Sequence, residues 1–158
     1  MIEPIKCYGK SQKMGYVEKN IINKNINWIE GWKVYTPYAN NIGTELNDDN
    51  QNSFVGEPKS VCTETFLVIG ADLNLTEKEA YNLSIYLKTK FSRYLHSLAK
   101  ISQHGTSKTY RFVPMQDFTN ESDIDWSKSI KEIDEQLFDK YGLSIEEREH
   151  IKSLIKDM

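Results

Sequence analysis

Three groups of residues in the 158-residue chain could carry chemistry. The first is Asp49 with the triplet Glu57-Pro58-Lys59. Metal-dependent restriction nucleases set an Asp and a Glu-x-Lys on neighbouring strand ends to hold Mg2+ and activate water. Here Pro58 stands where a strand residue is needed and its surroundings read as loop, so the spelling lacks its scaffold. The second group is Cys7, Cys62, His96, His104 and His150, whose spacings fit no zinc site. No Cys-His or Ser-His-Asp arrangement stands out either. The third is defined by what it omits. Residues 80–111, "AYNLSIYLKTKFSRYLHSLAKISQHGTSKTYR", hold six basic and no acidic side chains. Residues 1–79 hold 8 and 11, and residues 112–158 hold 6 and 12. The block nets are -3, +6 and -6, which sum to the formal charge of -3.

An acid-free surface suits a polyanion, because a duplex carries a phosphate charge every ~1.7 Å of axis and would repel any carboxylate facing it. On a helical wheel, Arg93, His96 and Lys100 fall opposite the apolar stripe, with Thr89 beside them and Lys88 and Lys90 on the flanks. The following turn adds Gln103, His104, Thr106, Ser107 and Lys108, and the next strand adds Arg111. Lysine and arginine would meet phosphates, while the amide, hydroxyl and imidazole groups could bond phosphates or base edges. Each residue alone reads as an ordinary exposed side chain. Together they make the candidate DNA-binding surface.

These residues need a frame. Thr76 caps a helix with Glu77 and Glu79 in its first turn. Ala80, Leu83, Leu87, Phe91, Tyr94, Leu98 and Ile101 then recur every three or four positions, predicting one rod of roughly 25 residues and about 38 Å. Ile85 and Tyr86 fall off that stripe, which suggests a second contact surface. Before the helix, "IKCY", "GYVEKNII" and Trp32–Thr36 read as short strands, the last stopped by Pro37. Residues 38–61 read as a long Asn-rich loop, and the unbroken Phe66–Ile69 run as a strand buried on both faces. Gly105 ends the rod, and "TYRFVP" predicts another strand. Two closing helices follow, one stopped by Gly142 and one opened by a Ser144/Glu147 capping box. As a helix-turn-helix this pair would place acids at the groove floor, so it reads as a packing cap over residues 127–157.

The expected fold is α+β: a small mixed or antiparallel sheet packed on one long amphipathic helix, with a C-terminal helical pair. A single domain over residues 1–158 has enough length to bury a core without staples. Two cysteines, no apolar run of membrane length and no signal-like N-terminus point to the cytoplasm.

Residues 61–118 carry "TETFLVIG", "SIYLKTKFSRYL", "KISQH" and "FVPMQDF", and the tail reads "DIDWSKSIKEIDEQLFDKYGLSIEEREHIKSLIKDM". These phrases, with "WIEGWKVYTPYA" upstream, resemble the C-terminal target-recognition region of bacterial restriction-modification enzymes with an N6-adenine DNA methylase. The likeness is weakest over residues 1–25 and 38–53. It implies sequence-specific binding of double-stranded DNA by the 80–111 block and the Asn-rich loop, beside a methylase domain of the same or a partner chain. It also implies S-adenosylmethionine, and Mg2+ for any cleavage, in the full enzyme. The chain itself is expected to need no cofactor and to lack catalysis, since its four prolines are never adjacent and no Gly-rich loop follows a strand. It reads as a module split from a larger enzyme. The rival readings are the nuclease above and a protein-interaction module docking an acidic partner through Ile85 and Tyr86.

Overall fold

A computed structural model describes residues 3–38, 52–99 and 107–158, Ser107 by its backbone only. It has an α+β fold of two three-stranded sheets and four α-helices among the described residues. In the first sheet, β1 (Pro4–Tyr8) lies between β2 (Met14–Glu18), which is antiparallel to it, and β5 (Ser60–Cys62), which is parallel. In the second, β3 (Lys33–Pro37) lies between β4 (Phe54–Gly56) and β6 (Phe66–Ile69), antiparallel to both. The last part of the expected loop at 38–61 therefore contains two strands, while residues 39–51 lie outside the described residues. Every residue of β3 is buried, as a central strand flanked on both edges requires. β6 differs from expectation. It pairs only with β3, and its four residues are half-buried, because an edge strand is not covered on every side.

Aromatic rings join the two sheets. Tyr8, Tyr35 and Phe54 lie 5.2–5.7 Å apart by centroid, and Phe66 extends the group from Phe54 at 5.3 Å. The Tyr35 hydroxyl meets Ser60 Oγ at 2.8 Å, which satisfies its polar end inside the sheets. Gly56 is required here, since a Cβ on it would stand 2.6 Å from the Tyr35 ring.

The expected rod is two helices, α1 (Glu77–Tyr86) and α2 (Lys90–Ala99). Thr89 and Asp134 make the break. The Thr89 hydroxyl donates to the Tyr86 carbonyl at 2.7 Å and accepts from the Ser92 N–H at 3.1 Å. Asp134 Oδ2 and Oδ1 accept from the N–H groups of Lys90 and Phe91 at 3.0 and 2.9 Å. The first amides of α2 are thus capped from within and from a helix 44 positions away. Burial pushes the Asp134 carboxyl up, against the pull of these two amides.

Beyond α2 the expected strand "TYRFVP" is a 3-10 turn at Ser107–Tyr110 followed by irregular chain. Its hydrogen bonds go to helices instead of a sheet. His96 Nδ1 donates to the Thr109 carbonyl at 3.2 Å, and the Tyr86 hydroxyl donates to the Pro114 carbonyl at 2.7 Å. The closing pair forms as expected. α3 (Ile130–Lys140) is capped by Ser129, and Gly142 beyond its end sits at φ +64°. α4 (Ile145–Leu154) carries the complete Ser144/Glu147 capping box.

Ala80, Leu83, Leu87 and Phe91 bury their stripe against Val34 and against Phe118, Trp126, Ile133, Leu137, Phe138 and Ile151. Tyr86 is in this same core at 2% exposure and Ile85 packs against it, so neither forms the expected second surface. α1 is covered on more than one side, with the Tyr86 ring 5.8 Å by centroid from both Phe118 and Trp126. Leu98 goes the other way and is exposed.

Candidate nucleic-acid interface

The expected surface splits along α2. Arg93 and His96 are 2% and 1% exposed, so the wheel that set them toward solvent is overturned. Thr89, Ser92, Arg93 and His96, all buried, form a polar seam at helical spacing. Arg93 Nε donates to the Lys88 carbonyl at 3.1 Å and its Nη2 to the Lys156 carbonyl at 2.8 Å. One guanidinium therefore ties the α1–α2 junction to the chain after α4. His96 stacks on Tyr110 with centroids 4.0 Å apart, which holds the 3-10 turn on the helix. A polar seam and a solvated face have the same spelling, so sequence could not separate them.

Of the flanking lysines, Lys90 is engaged and Lys88 is partly withdrawn from solvent. Lys90 Nζ sits 3.0 Å from Asp157 Oδ1 and donates to the Lys152 carbonyl at 3.4 Å. Lys88 is half-buried, and that burial lowers the pKa of its ammonium. Lys100, Gln103, His104 and Thr106 lie outside the described residues, as does the Ser107 side chain.

Two expected residues remain on the surface. Lys108 and Arg111 are exposed, and neither makes an ion pair with any described residue. The Arg111 guanidinium sits 4.7 Å over the ring of Phe112, itself 46% exposed, and donates to the Lys108 carbonyl at 3.3 Å. Their chain neighbours Tyr110 and Val113 line a cavity of about 370 Å³ with Leu67, Ile69 and Met115.

Cations near the closing helices behave oppositely. Lys140 pairs with Asp123 at 2.9 Å, Arg148 with Asp139 at 2.8 Å, and Lys152 with Glu135 at 2.6 Å. Their charge is neutralised locally, so it adds little to a field felt by a polyanion.

The sequence reading missed a second set of cations. Lys10 and Lys13, at the tip between β1 and β2, are exposed and make no ion pair with described residues. The signal was present: residues 4–17 contain Lys6, Lys10 and Lys13 and no acid. The tip borders a cleft of about 480 Å³ lined also by Ser11, Gln12, Tyr38, Asn52 and Thr65, with Glu64 its one acid among the described residues.

The nuclease spelling meets an engaged carboxylate. Glu57 Oε1 lies 2.7 Å from Lys6 Nζ and accepts from the Tyr8 hydroxyl at 2.9 Å. Burial alone would raise the Glu57 pKa, but the Lys6 and Tyr8 hydrogen bonds and the Lys6 charge bring it below its usual value. Lys59 sits at φ +60° in a turn, and Asp49 lies outside the described residues. Among the described residues no three His, Cys, Asp or Glu side chains gather as a metal group.

No family model, curated protein or solved structure matches the chain in the comparisons made. No helix among the described residues is long and apolar enough to cross a membrane.

Proposed function

We propose that the chain is the DNA target-recognition module of an adenine-methylating restriction-modification enzyme. A methylase domain, on the same or a partner chain, supplies the S-adenosylmethionine chemistry. The observation that carries this reading is the unpaired Lys108–Arg111 patch on an acid-free stretch, with a guanidinium stacked over an exposed ring. Free cations gain by displacing counterions from phosphates, and a stacked Arg keeps its outer donors available for a phosphate or a guanine edge. The resemblance of residues 61–118 and of the tail to target-recognition regions supports the same reading.

Fluorescence anisotropy with a random-sequence duplex tests it. Affinity should fall on the order of 10²-fold or more between 50 and 200 mM salt, given about 4–6 phosphate contacts. Lys108→Glu with Arg111→Glu should flatten the salt slope by about 2. Binding untouched by salt and by this double change would reject the proposal.

A further inference from the structure

The β1–β2 hairpin closes in a way that relaxed backbone chemistry does not favour. Tyr8 pairs with Met14, and Lys10 to Lys13 form the turn, with the Lys13 N–H donating to the Lys10 carbonyl at 3.3 Å. The two central residues, Ser11 and Gln12, have φ of +58° and +57°. Positive φ at both central positions is the type I′ arrangement, whose twist matches a two-stranded ribbon and which Asn-Gly adopts with least strain. Ser and Gln carry a Cβ that disfavours this conformation, and such residues persist chiefly where the site has a task. Local structure alone would select Asn-Gly. Side chains offering a hydroxyl and a carboxamide stand there instead.

Their surroundings indicate the task. Every residue from Lys10 to Tyr16 is exposed, with Lys10 and Lys13 bracketing the polar pair. Lys6, further down the ribbon, is held by Glu57, which leaves the two tip lysines as the ribbon's uncommitted cations among the described residues. β5 runs beside β1 as far as Tyr8, so the part of the hairpin open to a major groove is the tip beyond it, where Gln can pair with adenine N6 and N7 and Ser with several base edges. Lysines on either side would reach the phosphates lining that groove.

We infer that the β1–β2 hairpin is a base-reading ribbon: Lys10 and Lys13 grip the backbone of duplex DNA while Ser11 and Gln12 address base edges in the major groove. This rests on the DNA-recognition reading and deepens it, moving sequence discrimination to a hairpin that lies outside the 80–111 block.

The test uses the full chain, a random-sequence duplex for affinity, and selection from a randomised duplex pool with sequencing for preference. Lys10→Glu with Lys13→Glu should weaken random-duplex binding by roughly 10-fold or more at 100 mM salt and reduce the salt slope by about 2. Ser11→Asn with Gln12→Gly relieves the turn, so the protein should melt no lower than the parent. It should keep random-duplex affinity within about 3-fold, because it leaves the phosphate contacts in place. Its selected sequence should change or lose its preference. If the parent binds duplex and the lysine variant binds equally, the hairpin inference fails while the DNA reading stands. The same holds if the Asn-Gly variant selects the parent's sequence with the parent's preference. A parent with no salt-dependent affinity for duplex overturns both.

Discussion

Arg93 on α2 and Lys10 on the β1–β2 tip carry the same charge and do opposite work. Arg93 is 2% exposed and spends its donors on the carbonyls of Lys88 and Lys156. Lys10 is exposed and pairs with no described carboxylate. A cation inside a fold is there for its hydrogen bonds, and its charge is a cost that those bonds must offset. A cation on a strained turn gives the fold little, so its value lies outside the molecule. Counting charge along the chain cannot tell the two apart. Asking which carbonyls and carboxylates each cation touches can.

The largest effect should come from breaking the buried side of this comparison. Arg93→Ala leaves two carbonyls without a donor and should cost about 3–5 kcal/mol, read by urea unfolding. A variant as stable as the parent would return Arg93 to the candidate surface. Asp134→Ala uncaps the Lys90 and Phe91 amides and should cost about 2–3 kcal/mol in the same assay. A loss under about 0.5 kcal/mol would mean that α1 and α2 do not depend on it for their break.

Lys33 makes the cost of an interior cation visible through pH. It is a second interior cation, 1% exposed, donating to the carbonyls of Trp28 and Ile29 at 2.9 Å. Burial pulls its pKa from 10.5 down to about 8. Between those values the unfolded chain binds more protons than the folded one, so the Lys33 contribution to stability increases with pH. Burial pushes Cys62 up from 9.0 to about 12, which acts in the opposite direction above pH 9. The informative quantity is therefore the parent minus Lys33→Met. From pH 8 to 10.5 that difference should move in the parent's favour by roughly 1–3 kcal/mol. A flat difference would show that the buried ammonium carries no such cost.

The smallest effects belong to the outer cations. Lys10→Ala and Arg111→Ala should each change stability by no more than about 0.5 kcal/mol, measured by thermal unfolding. A larger loss at either position would make it part of the fold and remove it from the interface.

Much of the frame was legible because its causes are local. Thr76, Ser129 and Ser144 each accept from a backbone N–H three residues on, and Gly142 ends α3, all within a few residues of the pattern that announces them. The break at Thr89 was not legible. "LKTKF" suits a continuing helix, the apolar spacing holds on both sides of it, and Asp134, which caps α2, lies far along the chain. One missed break changed the phase of everything after it. It set Arg93 and His96 on the wrong face. Tyr86, before the break, was misplaced because Phe118 and Trp126, which cover it, come from far along the chain. The strand expected at "TYRFVP" failed for a similar reason, since the His96 ring that holds Thr109 and Tyr110 comes from another element. The hairpin tip was overlooked because three lysines among fourteen residues look ordinary until the φ angles of Ser11 and Gln12 are known.

The most direct test is the slope of log affinity against log salt for a random-sequence duplex, for the parent and a variant with Lys10, Lys13, Lys108 and Arg111 all changed to Glu. The parent should show a steep slope and the variant one flatter by about 3–4. A variant that keeps the parent's slope while remaining folded would contradict the DNA reading.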